Sequence, residues 1–385
     1  MKALLISAFT SYEPRLLLVE DVLQQLGYDT ELLLTDFNHA KKTLRETSPN
    51  GATLIPTKPY RKNLSFARIL SHRDFAKKAL RIVRERKPEV IYAIVPPNTL
   101  ARELATYKKS TPNVKLILDV CDMWPEAFPV ATLKPVLAPF FFFWKALRDK
   151  ALPSADLVIT ECDLFREKLL PISAKTIRWT VAGLPKSETP FGDSLKETLS
   201  STELHLAYLG SINNLIDIPR IAEFVKEAST VKPVTVHVIG TGEKKEEFLS
   251  TLRDAGAKVI DYGVVYDEKK KAEIFSHCHA GLNVMKPSTF VGLSMKSLEY
   301  LKFGLPLVNS LRGDTARFVS ENGVGININN PEAAKHLASM TLEENEAMRA
   351  RAKDLFTSTL EVGKIKTTIT MIFNEILARG GQEPL

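Results

Sequence analysis

The sequence has few of the residues that staple or metallate a fold. Three cysteines, Cys121, Cys162 and Cys278, lie far apart in 385 residues and without metal-ligand spacing. That argues against a disulfide framework or structural zinc and for a reducing, cytoplasmic setting. Long apolar runs are missing too. The most apolar stretch, Pro135 to Trp144 with Phe140-Phe141-Phe142-Phe143 inside it, is flanked by Lys134 and Lys145. It falls well short of the roughly 20 residues needed to cross a bilayer. The opening Met1 to Phe9 has too short an apolar run for a signal peptide and reads as a buried strand. Ser7-Ala8-Phe9-Thr10-Ser11 follows where a dinucleotide fold carries Gly-x-Gly-x-x-Gly, which disfavours a nicotinamide oxidoreductase. No sequence repeat and no nucleic-acid-binding motif is present.

What is present suits a soluble globular protein: 44% of residues are hydrophobic and 25% charged. One core rarely grows beyond about 250–300 residues, so two domains and a cleft are expected. The charge of +7 is uneven. Residues 1–185 hold 28 basic against 19 acidic residues, +9, whereas 186–385 hold 24 against 26, −2. Lys58 to Lys87 alone holds 11 basic residues against Asp74 and Glu85, again +9.

Short apolar runs alternate with amphipathic helical patterns, the signature of parallel sheets covered by helices. Strands are expected at Ala3–Ser7, Thr30–Leu34, Val90–Ile94, Lys115–Leu118 and Leu157–Thr160, with helices at Arg15–Leu26 and Phe66–Arg86. In the second half strands are expected at Leu204–Leu209, Thr235–Ile239, Lys258–Asp261, Gly281–Val284 and Pro306–Asn309. Helices fit Ile218–Ser229, Lys244–Ala255, Asp267–Phe275 and Ser294–Phe303. Breakers between Gly183 and Thr202 mark the domain boundary. A last amphipathic pattern, about Glu361 to Ala378, stops at Gly380-Gly381.

Three segments carry chemistry. In Ile239-Gly240-Thr241-Gly242 a strand ends in a glycine turn before a helix, either a phosphate cradle or merely a turn. Gly210, at the end of Tyr208-Leu209-Gly210-Ser211, permits close approach at a sheet edge or a tight turn. In Gly292-Leu293-Ser294-Met295-Lys296 a glycine turn enters a helix with Ser294 as N-cap and Glu299 one turn after Lys296. A cation beside the N-terminal N–H groups makes an anion site, and a carboxylate nearby suits vicinal hydroxyls: phosphate next to ribose. A plain surface Lys–Glu pair has the same spacing. His277, Cys278 and His279 beside an apolar strand read as packing.

The stretch Gly292-Leu293-Ser294-x-Lys296-x-x-Glu299-Tyr300-x-x-x-Gly304-x-Pro306-x-Val308 resembles the donor-site signature of GT-B glycosyltransferases, especially glycosyltransferase family 4 (group 1). The resemblance extends back through Tyr262-Gly263-Val264-Val265 to Gly210. It reaches Asp122-Met123-Trp124-Pro125-Glu126, similar to an Asp-x-Trp-Pro-Glu element, and less sharply Ala155 to Thr160 with Val181-Ala182-Gly183. It implies an α/β fold of two Rossmann-like domains facing across a cleft: 1–185 on the acceptor side, 186–360 binding a nucleotide sugar, and a helix in 361–385 crossing back to the first. It implies a retaining transferase without metal or cofactor, using a UDP-sugar as co-substrate to extend a lipid-linked or cell-surface glycan. Glu299 would bind the ribose, Gly263, Val264 and Val265 would lie near the base, and Gly210, Ser211, Gly240, Gly292, Leu293, Ser294 and Lys296 would line the donor site.

Two positions depart from the family pattern. Val291 stands where its first glutamate belongs, and Ser211-Ile212-Asn213-Asn214-Leu215 replaces the usual arginine and lysine after Gly210. A catalytically silent subunit that binds a partner enzyme or glycan is therefore the alternative. Asp122 is the preferred acceptor base, with Asp119 and Glu126 as alternatives and Trp124 as a sugar-stacking face; a turn cap and a core tryptophan are the plainer readings. Pro125 and Pro129 are expected to hold the loop extended. Phe66, Ile69, Leu70, Ala76, Leu80 and Val83 recur at helical spacing, giving Phe66–Arg86 an apolar stripe and a basic remainder. Lys58 to Lys87, with the Phe140–Trp144 patch of the same domain, would meet either an anionic inner membrane face or solvent.

Overall fold

The computed structural model describes residues 1–63, 65–128, 134–173, 178–181, 199–328 and 332–377. The chain divides into two compact units, Met1–Pro185 with Ile365–Leu385, and Lys186–Lys364. Gly183 to Thr198, most of the expected boundary, lies outside the described residues, as do Pro129 and Gly380-Gly381.

The first unit begins β1 (Lys2–Ser7), α1 (Glu13–Gln25) and β2 (Asp29–Thr35), followed by a hairpin of β3 (Phe37–Asn38) and β4 (Thr43–Leu44). It continues with β5 (Thr53–Ile55), α2 (Phe66–Arg86), β6 (Val90–Val95), α3 (Asn98–Ser110) and β7 (Lys115–Val120). Then come α4 (Lys134–Asp149), β8 (Leu157–Thr160), α5 (Asp163–Ser173) and β9 (Arg178–Val181). Its parallel sheet runs β5-β2-β1-β6-β7-β8-β9. Residues of β6 are buried throughout, as a strand covered by helices on both faces must be.

The second unit holds β10 (Leu204–Leu209), α6 (Ile218–Ser229), β11 (Val234–Ile239), α7 (Lys245–Asp254) and β12 (Lys258–Asp261). After α8 (Glu268–Ser276) follow β13 (Ala280–Asn283), α9 (Met295–Lys302), β14 (Leu307–Asn309), α10 (Asp314–Asn322) and β15 (Gly325–Asn327). Helices α11 (Glu332–Ser339) and α12 (Leu342–Leu355) close it, and its parallel sheet runs β12-β11-β10-β13-β14-β15. In both sheets the strand order reverses beside the first strand, at β1/β6 and at β10/β13. Open α/β sheets take ligands at such switch points, outside the C-terminal strand ends.

After a π-helical turn at Phe356–Leu360, α13 (Val362–Leu377) enters the first unit. It buries Ile365, Ile369, Phe373 and Ile376 along one face, each worth about 1.5–3 kcal/mol. Phe373 meets Tyr92 of β6 at a ring separation of 6.4 Å, and Lys366 pairs with Asp21 of α1.

Helix α2 departs from the expected stripe. Its buried side is Arg68, Ser71, His72, Phe75, Ala76, Ala79, Leu80 and Val83, whereas Phe66 is 81% and Leu70 57% exposed. On the helical wheel those two lie opposite Phe75 and Ala79, so spacing alone assigns them to the wrong face.

Candidate functional site

In the second unit three loops stack at the C-terminal edge of the sheet. Gly210 N–H donates to Ile239 O (2.8 Å), Ile212 N–H to Thr241 O (2.9 Å) and Gly240 N–H to Gly263 O (2.7 Å). A Cβ at Gly240 would sit 2.0 Å from the Gly210 carbonyl oxygen, and one at Gly242 2.2 Å from that of Ile212. These glycines are required by loop against loop, since any side chain at either position would collide with the neighbouring backbone. Gly210 has φ +115° and a Cβ there would lie 3.2 Å from Lys296 Cε, so glycine here both makes the turn and clears a path for the lysine.

Ser294 caps α9 as expected, its Oγ accepting from Ser297 N–H at 3.1 Å. It also donates to Asn283 (2.8 Å), the start of a ladder Asn283, Asn309 and Asn327 across β13, β14 and β15. Thr315 of α10 holds the Gly292 carbonyl through its N–H (2.9 Å) and hydroxyl (2.7 Å). Leu293 is buried between these anchors. The lead-in to α9 is thus fixed from two sides.

Lys296 reaches across to β10: its Nζ donates to the Tyr208 hydroxyl at 2.8 Å and lies 4.3 Å from that ring's centre. Tyr208 in turn donates to Ser211 O at 2.8 Å. Desolvation pushes the Lys296 amine down to about 7, so an anion arriving beside it would favour its charged form. Lys296, Gly210 and Ser211 therefore converge. Glu299 is buried, and its carboxylate receives the ammonium of Lys271 from α8, which also binds Glu268. The sequence reading missed Lys271; the signal was a lysine within the buried register Lys271, Ala272, Ile274, Phe275. It missed Tyr300 as a strut as well. The Tyr300 ring fills the space over Gly281 and its hydroxyl accepts from Leu209 N–H at 2.7 Å. Val264 is 49% exposed on the loop after β12, with Val265 partly buried beside it.

In the first unit Asp122 follows β7. It accepts from Trp124 Nε1 (2.6 Å) and Met123 N–H (2.8 Å), and burial raises its carboxyl to about 6 despite these bonds and Arg68. The loop is a compact turn, not extended: Ala127 N–H donates to Met123 O at 2.7 Å and Phe128 N–H to Pro125 O at 3.1 Å. Trp124 is only 8% exposed. The Arg68 guanidinium lies 4.1 Å from its ring and His72 stacks on it at 5.8 Å, so the surface expected to face a sugar is occupied by protein. Asp119 is also taken. Fully buried on β7, it pairs with Arg15 Nε at 2.8 Å and accepts from the Tyr92 hydroxyl. Glu126 grips the buried Arg148 of α4 at 2.7 and 3.1 Å, and Arg148 donates on to Trp124 O. Of the expected acceptor-side residues, Asp119, Trp124 and Glu126 thus serve the fold, leaving Asp122 partly open.

The packing reading of the histidines suits His279, which is buried with both ring nitrogens bonded to backbone. A further pair was not foreseen: His205 and His237 share a 2.9 Å bond, and His237 continues to Tyr262.

Residues 203–343 match the family model of group 1 glycosyl transferases. The chain matches no curated protein in sequence. Among solved structures it is similar to sucrose-phosphate synthase from Thermosynechococcus elongatus, at 14% identity and TM-score 0.68, covering 98% of this chain and 99% of that one. Anabaena HepE in complex with UDP and glucose shares 14% identity at TM-score 0.64, covering 97% and 100%. The lipopolysaccharide outer core galactosyltransferase WaaB shares 16% at TM-score 0.61, covering 98% and 99%. Two doubly wound parallel sheets, a stacked-loop edge and these matches give the chain a GT-B fold, with residues 203–343 of its second unit similar to group 1 glycosyl transferases.

Proposed function

We propose that the protein is a retaining, metal-independent hexosyltransferase that takes its sugar from a UDP-sugar and adds it to a lipid-linked or cell-surface glycan. The observation that carries the reading is the convergence of Lys296, Gly210 and Ser211 at the β10/β13 switch point, inside the segment that matches the family. Lys296 and the first turn of α9 would hold the diphosphate and stabilise it as it departs. Glu299, steadied by Lys271, would accept from the ribose hydroxyls, while Gly263 to Val265 would flank the base. Asp122 would serve the acceptor. The reading sets the enzyme on the cytoplasmic face of a membrane, with the basic segment Lys58 to Lys87 in contact with anionic lipid.

Thermal melting against a panel of nucleotide sugars tests it. A ligand at 100 times its Kd stabilises by about 2.7 kcal/mol, and the gain should vanish in Lys296→Ala; no response to any nucleoside diphosphate or its sugars sinks the proposal. Val291, in place of an acid, favours a second reading as a silent binding subunit. Slow donor hydrolysis that disappears in Glu299→Ala excludes that reading.

A further inference from the structure

Two elements of the first unit expose large apolar side chains in pairs. On α4, Phe142 and Phe143 are 68% and 70% exposed and touch each other at 5.7 Å. On the first turns of α2, Phe66 and Leu70 are 81% and 57% exposed. The two elements meet through one aromatic layer: Arg68 of α2 lies 5.9 Å from the Phe128 ring, which stacks on Phe141 and Trp144 of α4 at 6.4 and 5.2 Å. Helix α3 packs against both elements, which places them in one helical layer.

The rest of the outer face of α2 is cationic. Arg73, Lys77, Arg81 and Arg84 are exposed and fall with Phe66 and Leu70 within about 80° of the helical circumference. A second copy of this chain would set these cations against themselves. We infer that this face docks on an anionic bilayer, with Phe142 and Phe143 inserting at the headgroup boundary and the α2 cations lying along the lipid phosphates. The inference deepens the proposed membrane contact of Lys58 to Lys87 and rests on it. It adds an apolar anchor from outside that segment.

The test is co-sedimentation with phosphatidylcholine vesicles, with and without phosphatidylglycerol. The wild type should bind only the anionic vesicles, and each cation near the surface is worth roughly fivefold in partitioning. Phe142→Ser with Phe143→Ser should lower binding at least about tenfold, and Arg73→Glu with Lys77→Glu should lower it further while both variants keep the wild-type melting temperature and response to UDP. Phe142→Trp should be quenched by brominated acyl chains. Salt-sensitive binding unchanged by the phenylalanine substitutions overturns the anchor but leaves the electrostatic contact standing. No preference for anionic vesicles overturns both. Loss of the UDP response in the wild type removes the donor reading alone.

Discussion

Lys296 and Asp122 have values displaced from the ordinary in opposite senses, both by burial. The amine is lowered to about 7 and the carboxyl raised to about 6. A bound diphosphate would favour the charged amine, so binding takes up a proton wherever the free lysine is neutral. Donor affinity should therefore hold below pH 7 and fall, by up to about tenfold per unit, above it. A KM for donor that is flat from pH 7 to 9, or that is equally pH-dependent in Lys296→Arg, contradicts this. If Asp122 is the acceptor base, turnover should decline below pH 6 as it protonates, and Asp122→Asn should abolish activity without lowering the melting temperature. Asp119 should behave the other way. Replacing it by Ala strands the buried Arg15 and should cost about 3–5 kcal/mol in denaturant unfolding; a near-neutral result would show that the pair is not structural.

Among the elements, the loops after β10, β11 and β12 act together because each glycine makes room for a neighbour. Gly240→Ala should shift the loop bearing Gly210 and weaken UDP binding, although residue 240 itself need not touch the ligand; calorimetry on that variant checks this. Helix α13 binds to the first unit through an apolar face, so Phe373→Ala should destabilise by about 3–5 kcal/mol. An unchanged unfolding midpoint would mean that the helix is only loosely attached. Most strands and many helices were legible because their apolar periods are local properties of the chain. Among the described elements, β3, β4, β5, β9 and β15, and the helices α3, α4, α5 and α10 to α12, were not read. Two- and three-residue strands carry too little periodicity, and Asn98 enters α3 directly after Pro97 without a side-chain cap.

For the molecule as a whole, acid should be a weakness. Burial holds His39, His237 and His279 at about 4, and lowers His72 and His205. An unfolded chain takes up protons first, near 6.5, so the stability these groups support is complete above that value and is lost as pH falls toward 4. Melting midpoints measured from pH 7 to 4.5 should fall through this window, less steeply in His237→Gln; a flat profile refutes it. The family resemblance was readable at the same scale. Glycine turns, N-cap, Lys296 and Glu299 occur in order along one stretch, and order along the chain is what a sequence records. The partners of those residues come from other elements: Tyr208 for Lys296, Lys271 for Glu299, Arg68 and His72 over Trp124, Arg15 under Asp119. Which carboxylates are consumed by the core, which aromatics remain on the surface and which glycines merely clear a neighbouring loop depend on burial and long-range contact. Those follow from how the sheets and helices pack, since a helical period identifies a face but not what, if anything, covers it.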